Sequence, residues 1–182
     1  MIDYDDPGWG AAFKVLIPFA VFSKKVRTSA RRSALIALRL LYMAFVTALV
    51  LYVHVLTFIV PGVAVEGMFV LWVANLSVIM LVLDLWLAAR PLDITSERAL
   101  VDSYRTNFFF KLAASEVPAL AGFALAFVGD SLAPYLVGMV AGLLGLAIAA
   151  PTRANIERRQ REISARGSTL SLGRALVNVP GR

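Results

Sequence analysis

Four ionisable residues lie inside stretches of sequence that are otherwise almost wholly apolar: Arg39, Asp84, Lys111 and Glu116. A charged side chain at the centre of a bilayer costs about 2.5 to 3.5 kcal/mol on insertion scales, so it is normally paired, neutralised or used in function. Glu116 stands near the middle of the stretch RTNFFFKLAASEVPALAGFALAFVGD, and Pro118 follows two residues later. A carboxylate so placed serves as a structural group, as part of an ion or proton path, or as a contact for another protein.

The composition is that of a membrane-embedded chain. Of the 182 residues, 59% are hydrophobic and only 16% are charged, whereas soluble domains carry about 25% charged residues. The net charge is +6, and the basic residues flank the apolar stretches. We therefore expect the anionic cytoplasmic leaflet of the bilayer as a partner, and no nucleic acid. The absence of cysteine excludes disulfides and thiolate metal sites.

The apolar stretches predict an all-α fold, a four-helix transmembrane bundle with spans at about 33–60, 67–89, 108–128 and 132–150. Such lengths suit a hydrocarbon core of about 30 Å. The turns after the first and third spans contain no Lys or Arg, whereas the other connection and the two ends hold nearly all of these residues. By the positive-inside rule we expect a multi-pass protein of the plasma membrane whose N- and C-termini are both cytoplasmic.

The regions outside the spans are a cytoplasmic or interfacial N-terminal segment, 1–32, and a basic cytoplasmic tail, 151–182. The apolar run 11–22 would be about 18 Å long as a helix, too short to span. It predicts an interfacial helix, with a buried cap over the bundle as an equal alternative. In the loop before the third span, Thr95 is the expected helix cap. In the amphipathic tail, Thr152 caps a helix that Gly167 ends, and the serines after it begin another.

With this topology the four intramembrane charges share the cytoplasmic leaflet. Arg39 and Asp84 lie at similar depths, roughly 8 to 9 Å from the inner face, so we predict an ion pair between them. Lys111 and Glu116 are five residues apart on one helix and point in different directions. Glu116 therefore needs a partner from another helix, a proton or water. Pro118 leaves a nearby backbone carbonyl without its usual donor, which favours a neutral carboxyl.

Small residues mark the surfaces at which membrane helices approach closely. The fourth span contains Gly138, Gly142 and Gly145, of which the first two form a GxxxG pair. The third span carries Pro118 and Gly122 at four-residue spacing. We predict that these two adjacent spans pack against each other within one molecule.

The segment FFFKLAASEVPALAGFALAFV, residues 108–128, resembles the carboxylate-bearing helix of the rotary ATP synthase proteolipid, the c subunit. Glu116 takes the place of the carboxylate and Gly122 that of the later glycine. The resemblance implies a proton- or ion-carrying role for Glu116. The preceding span lacks the glycine repeat that packs a c ring, and four spans are predicted instead of two. The same helix, followed by the short fourth span, the sequence PTR and the arginine-rich tail, also resembles small bacterial four-span membrane proteins. This second resemblance implies no established activity.

Motifs of soluble enzymes are missing: there is no GxxxxGK[ST], HExxH, GxSxG or CxxC. The acidic residues Asp3, Asp5 and Asp6 fall in an N-terminal tail that we expect to be mobile. We therefore predict no catalytic residue, cofactor or metal site. The favoured hypothesis is a non-catalytic accessory or stabilising subunit of a larger membrane complex that transports lipids or ions, with another membrane protein as partner. The alternatives are a small proton- or ion-conducting protein that uses Glu116 and a membrane enzyme of unrecognised type.

Overall fold

A computed structural model describes residues 6, 8–16, 33–60, 62–63 and 67–178 of the chain. All regular structure within these residues is α-helical, which confirms the predicted class. The helices are α1 Gly8–Leu16, α2 Ala34–Ile59, α3 Gly67–Ala89, α4 Glu97–Val128, α5 Ala133–Ala149, α6 Arg153–Ala165 and α7 Leu172–Asn178. The second half of the predicted interfacial run, 17–22, lies outside the described residues.

Three of the helices, α2, α3 and α4, are long and apolar enough to cross a membrane. Helix α5 has 17 residues and meets the same criterion only when it is taken together with α6. Within the described residues the chain thus has three candidate spans, or four if that pair is counted. This is the architecture of a multi-pass membrane protein.

Helix α4 begins eleven residues earlier than the predicted third span, and its cap is not the predicted one. The Oγ of Ser96 accepts a hydrogen bond from the backbone N–H of Ala99 at 3.1 Å, and the helix starts at Glu97. Thr95 instead donates to Asp93 Oδ1 through its N–H at 2.9 Å and its hydroxyl at 2.8 Å. The prediction of Thr95 as the cap is wrong, because the N–H and the hydroxyl of Thr95 both bind Asp93 in a turn before the helix.

The chain divides into two compact units, which we call the basic unit and the apolar unit. The basic unit comprises Met1–Tyr42, Pro91–Thr106 and Ala150–Arg182, and the apolar unit comprises Met43–Arg90 and Asn107–Ala149. Of the 18 Lys and Arg residues in the sequence, only Arg90 and Lys111 belong to the apolar unit.

The tail of the basic unit folds as predicted from its caps. Thr152 accepts a hydrogen bond from the N–H of Asn155 at the start of α6, and Gly167 follows the end of that helix with a φ of +80°. Helix α7 packs on α6 through a buried glutamine. Gln160 accepts from the N–H of Leu172 at 2.7 Å and donates to the carbonyl of Leu170 at 2.9 Å. This bridge satisfies backbone groups that the turn between the two helices leaves unpaired.

The apolar unit is built from parts of α2 and α4 together with α3 and α5. Only four residues of α3 are buried, namely Val73, Ser77, Asp84 and Leu87, and their spacing places them along one narrow stripe. Large apolar side chains such as Trp72 and Trp86 are exposed on the same helix. An apolar exterior around a thin buried stripe is what a lipid-facing helix requires.

Candidate functional site

The buried stripe of α3 carries Asp84 into the interior of the apolar unit, where its side chain is fully buried. Its Oδ2 lies 2.9 Å from the hydroxyl oxygen of Ser115 on α4. The same hydroxyl oxygen lies 2.7 Å from the backbone carbonyl oxygen of Lys111, one turn earlier. Lys111 is itself buried, and its positive charge acts on Asp84. Two elements thus bring together the residues that we call the Asp84 site: Asp84, Lys111 and Ser115.

A third helix closes the Asp84 site with a glycine. A Cβ added at Gly145 of α5 would lie 2.5 Å from the hydroxyl oxygen of Ser115 and would also collide with Asp84. Only a residue without a side chain leaves room here for the carboxyl and the hydroxyl together. Gly145 therefore has a second role besides close helix packing, which the sequence pattern alone did not indicate.

The other small residues of α5 lie against the backbone of α4. A Cβ at Gly142 would come 2.9 Å from the carbonyl oxygen of Ser115, and one at Gly138 would collide with the carbonyl of Pro118. Gly122 on α4 lies in the same way against the carbonyl of Pro134. The two helices approach closely through both glycine faces, and α4 continues as a helix through Pro118.

Glu116, the next residue after Ser115, points toward α2 and lies beside the phenol side chain of Tyr52. The hydroxyl of Tyr52 donates to Glu116 Oε1 at 3.4 Å, in a half-buried setting. The ring of Tyr52 packs against Phe123 with centroids 5.2 Å apart, and Phe123 in turn contacts Tyr135 edge-on. Tyr135 donates its hydroxyl to the carbonyl of Leu49. The carboxyl therefore stands beside a group of aromatic rings, with a neutral hydroxyl as its hydrogen-bond donor.

Arg39 belongs to the basic unit, and its partner there is Asp6. The guanidinium nitrogens Nη1 and Nη2 donate to the two carboxylate oxygens at 2.6 and 2.9 Å. Its Nε donates to the carbonyl of Pro151 at 3.4 Å, and the ring of Trp9 lies 5.2 Å from the guanidinium carbon. The arginine is 1% exposed. The Arg39 guanidinium holds the pKa of the Asp6 carboxyl below its usual value.

This contact corrects two predictions. Arg39 pairs with Asp6, so the predicted pair with Asp84 is wrong; depth along a helix says nothing about which way a side chain points. Asp6 is also fixed by structure, although we expected it in a mobile tail. Its Oδ1 accepts a hydrogen bond from the backbone N–H of Gly8 at 2.9 Å, at the start of α1. This bond helps to orient the carboxylate toward Arg39.

An apolar groove of about 450 Å³ opens on the apolar unit between α3 and α4. Its lining residues are Phe69, Trp72, Val73, Asn75, Leu76, Ile79, Ala121 and Leu125. Asn75 is the polar member of this set. Its side-chain nitrogen donates to the carbonyl of Leu71 at 2.8 Å, while the residue as a whole remains exposed.

Three of the residues that build these sites were not singled out from the sequence. Ser115 is a helical serine beside a more conspicuous glutamate, and Tyr52 is one of several aromatics in an apolar run. Asp6 lies 33 residues before its partner. A usable signal for Ser115 was its position four residues after Lys111 and seven before Gly122, on the small-residue face of the helix.

Among the residues that the structure describes, no group of three or more His, Asp or Glu side chains is close enough to hold a metal ion. Comparison with known proteins adds no relative: no family model, no curated protein and no solved structure matches the chain.

Proposed function

We propose that the protein is a non-catalytic subunit that docks onto another membrane protein and stabilises a larger transport complex. The observation that carries this proposal is Asn75 in the groove between α3 and α4. The carboxamide is the ninth residue of a 23-residue apolar helix, which puts it roughly 12 Å along a helix about 35 Å long. In that position it is surrounded by hydrocarbon unless another protein covers it.

The chemistry of Asn75 specifies the occupant. A carboxamide offers two N–H donors and a carbonyl acceptor, and one donor is used by the carbonyl of Leu71. The remaining capacity favours a transmembrane helix that carries its own hydrogen-bonding side chain opposite Asn75, since polar side chains join membrane helices in this way. The walls of the groove are aromatic and aliphatic, so the rest of that helix surface is apolar.

The distribution of charge supports the orientation and location that we propose. The basic unit holds all but two of the Lys and Arg residues, and it includes both ends of the chain. We place it on the cytoplasmic side of a bacterial plasma membrane, against the anionic leaflet. Exposed arginines such as Arg158 and Arg161 on α6 are available for the lipid headgroups.

The docking proposal is tested by photo-crosslinking in native membranes. A photoreactive residue at Ile79, inside the groove, should crosslink one membrane protein in good yield. The same residue at Phe58, which is 79% exposed but not part of the groove, should not. Asn75→Leu should reduce the Ile79 crosslink and the co-purified partner at least tenfold. Thr47→Val is the matched control, because Thr47 also is exposed and bonds its own helix.

The proposal fails if the protein purifies alone under gentle detergent with no stoichiometric partner, or if Asn75→Leu leaves the crosslink unchanged. A crosslink between two copies of the chain would also overturn it, because the groove would then serve self-association.

A second candidate function is proton or ion conduction through Glu116. Its support is the Tyr52 hydroxyl within hydrogen-bond distance of the carboxyl, together with the resemblance of residues 108–128 to a proton-carrying helix. Purified protein in liposomes that contain a pH-sensitive dye should then dissipate a proton gradient. Glu116→Gln should abolish that flux, and Tyr52→Phe should reduce it. If Glu116→Gln protein conducts as wild type does, the candidate is excluded.

A further inference from the structure

The Asp84 site has more hydrogen-bond acceptors than hydrogens. The hydroxyl oxygen of Ser115 lies within hydrogen-bond distance of two oxygens, Asp84 Oδ2 and the Lys111 carbonyl oxygen. A serine hydroxyl carries one hydrogen, and it can satisfy only one of them. If Asp84 were ionised, both neighbours of the hydroxyl would be pure acceptors, and one short oxygen–oxygen contact would have no hydrogen in it.

A proton on Asp84 resolves the shortage. The neutral carboxyl then donates from Oδ2 to the oxygen of Ser115, and the serine hydroxyl donates its own hydrogen to the carbonyl of Lys111. Each of the two short contacts holds one hydrogen. We infer that the Asp84 site is a built proton-binding site in which Asp84, Ser115 and the Lys111 carbonyl hold one bound proton at neutral pH.

The other oxygen of the carboxyl supports the same assignment. Oδ1 is buried and has no hydrogen-bond donor among the described residues. An ionised carboxylate has about four acceptor positions to fill, and an uncompensated buried charge costs several kcal/mol. In the neutral acid Oδ1 is a carbonyl oxygen, and leaving it without a donor is far less costly.

Titratable and charged groups lie on each helix packed against the site. Lys111 on α4 carries a positive charge that favours the ionised acid. Helix α5 contributes Gly145 and has one titratable side chain, Tyr135, whose hydroxyl binds the carbonyl of Leu49. The part of α2 in the same unit offers Tyr52, bound to Glu116, and His54, which stacks on Phe58.

Infrared spectroscopy of the full-length protein in lipid tests the inference. A protonated carboxyl has a C=O stretching band that carboxylates lack and that deuteration shifts. We expect this band to persist from pH 6 to pH 8 in the Glu116→Gln variant, where Glu116 cannot produce it. It should disappear in the double variant Glu116→Gln with Asp84→Asn. Ser115→Ala should keep the band and change its frequency, because the acceptor of the carboxyl hydrogen is gone.

Thermal unfolding supplies a second, independent readout. Asparagine matches a neutral aspartic acid in shape and still donates to Ser115, so Asp84→Asn should melt within about 2 °C of wild type at pH 7. The inference is overturned if Glu116→Gln protein shows no protonated-carboxyl band at pH 7, or if the band survives Asp84→Asn. A fall of 8 °C or more for Asp84→Asn would also overturn it, because a charge that Lys111 needs would then have been removed.

Discussion

The basic unit and the apolar unit each bury an ionisable side chain, and they do so by opposite means. In the basic unit, three nitrogens of Arg39 donate to the Asp6 carboxylate and the Pro151 carbonyl, and Trp9 covers one face of the guanidinium. In the apolar unit, Asp84 has the Ser115 hydroxyl beside its Oδ2, and its Oδ1 has no hydrogen-bond donor within the part of the chain that the structure describes. Both residues are at most 1% exposed.

The degree of burial therefore does not distinguish a charged from a neutral side chain in these two units. The number of hydrogen-bonding and charged groups around the side chain does distinguish them. Arginine stays protonated under nearly all conditions, so the chain must bring it a carboxylate, a carbonyl and a ring. A carboxylic acid can be neutralised by one proton, and one hydroxyl then suffices.

Replacing Asp6 by Asn should have the largest effect on stability. The change keeps the shape of the side chain and removes the charge that faces a buried guanidinium. Breaking a buried ion pair by removing one partner costs about 3 to 5 kcal/mol, and we expect about 3 because the amide oxygen still accepts one hydrogen bond. Thermal unfolding in detergent at pH 7 measures it.

Asp102→Asn is the matched control for this change. Asp102 stands 4.0 Å from Arg98 in a pair whose side chains are more than 60% exposed, and exposed pairs contribute about 0 to 1 kcal/mol. If Asp6→Asn and Asp102→Asn unfold at the same temperature, the Arg39 contact contributes nothing beyond a surface pair and the contrast between the units collapses.

The apolar unit should instead be sensitive to added volume. Gly138→Ala would place a Cβ 2.7 Å from the carbonyl carbon of Pro118 and 3.0 Å from the Cα of Ala119. Both are backbone atoms, which cannot rotate away as a side chain could. We expect a loss of about 1 to 3 kcal/mol, the usual cost of overpacking.

The control for Gly138→Ala is Gly67→Ala, at the start of α3. A Cβ there would meet nothing within 4 Å, so this variant should unfold at or slightly above the wild-type temperature. Equal melting of the two variants would show that α4 and α5 are not held together at the glycine face.

Acid should lower the stability of the basic unit by protonating Asp6. We expect this loss of stability to be smaller than the loss caused by Asp6→Asn at neutral pH. The pKa of Asp6 is lowered in the folded protein, chiefly by its hydrogen bonds to Arg39. The stability that this contributes is complete above the ordinary carboxyl pKa of about 3.9. It is lost as the pH falls below that value and through the lowered pKa of the folded state. Unfolding temperature measured from pH 6 to pH 3 should therefore drop more for wild type than for Asp6→Asn.

If the two proteins lose stability in parallel over that range, the titrating group lies elsewhere. The buried acid of the apolar unit gives no such acid-side loss under the proton-binding inference, since Asp84 is already neutral at pH 6. Acid thus separates the two kinds of burial in one experiment.

The helices could be predicted from the sequence because their signals are local. Runs of about twenty apolar residues identify α2, α3 and α4, and Thr152 with Gly167 bounds α6. The partners of the charges could not be predicted in the same way. Hydropathy gives the depth of Arg39 and Asp84 but not the direction of either side chain around its helix. The sequence therefore did not distinguish Asp6, in the polar N-terminal region, from Asp84, on another span, as the partner of Arg39.

The start of α4 was misplaced for a related reason. Its first ten residues, Glu97 to Thr106, include four charged side chains, and a search for apolar runs overlooks a helix that extends beyond hydrocarbon. Ser96 was the available start signal, but it was weak, because Ala99 instead of Glu or Gln stands at the bonded position and the capping box is incomplete. The role of Ser115 was hidden because a serine within a helix usually bonds its own backbone, and nothing in the sequence says that Asp84 lies beside it.

The smallest effect should come from removing a neutral hydrogen bond in the apolar unit. Tyr135→Phe deletes the hydroxyl that donates to the carbonyl of Leu49, and a neutral bond contributes about 1 kcal/mol. A carbonyl oxygen has two lone pairs, so Leu49 can keep a helical partner and the loss stays near that value. Tyr52→Phe is the comparison, because its bond to Glu116 is 3.4 Å long and half-buried, and it should cost less. If Tyr135→Phe instead destabilises the protein as much as Asp6→Asn, neutral hydrogen bonds in the apolar unit would match the ion pair of the basic unit, and partner charge would no longer explain how the two units differ.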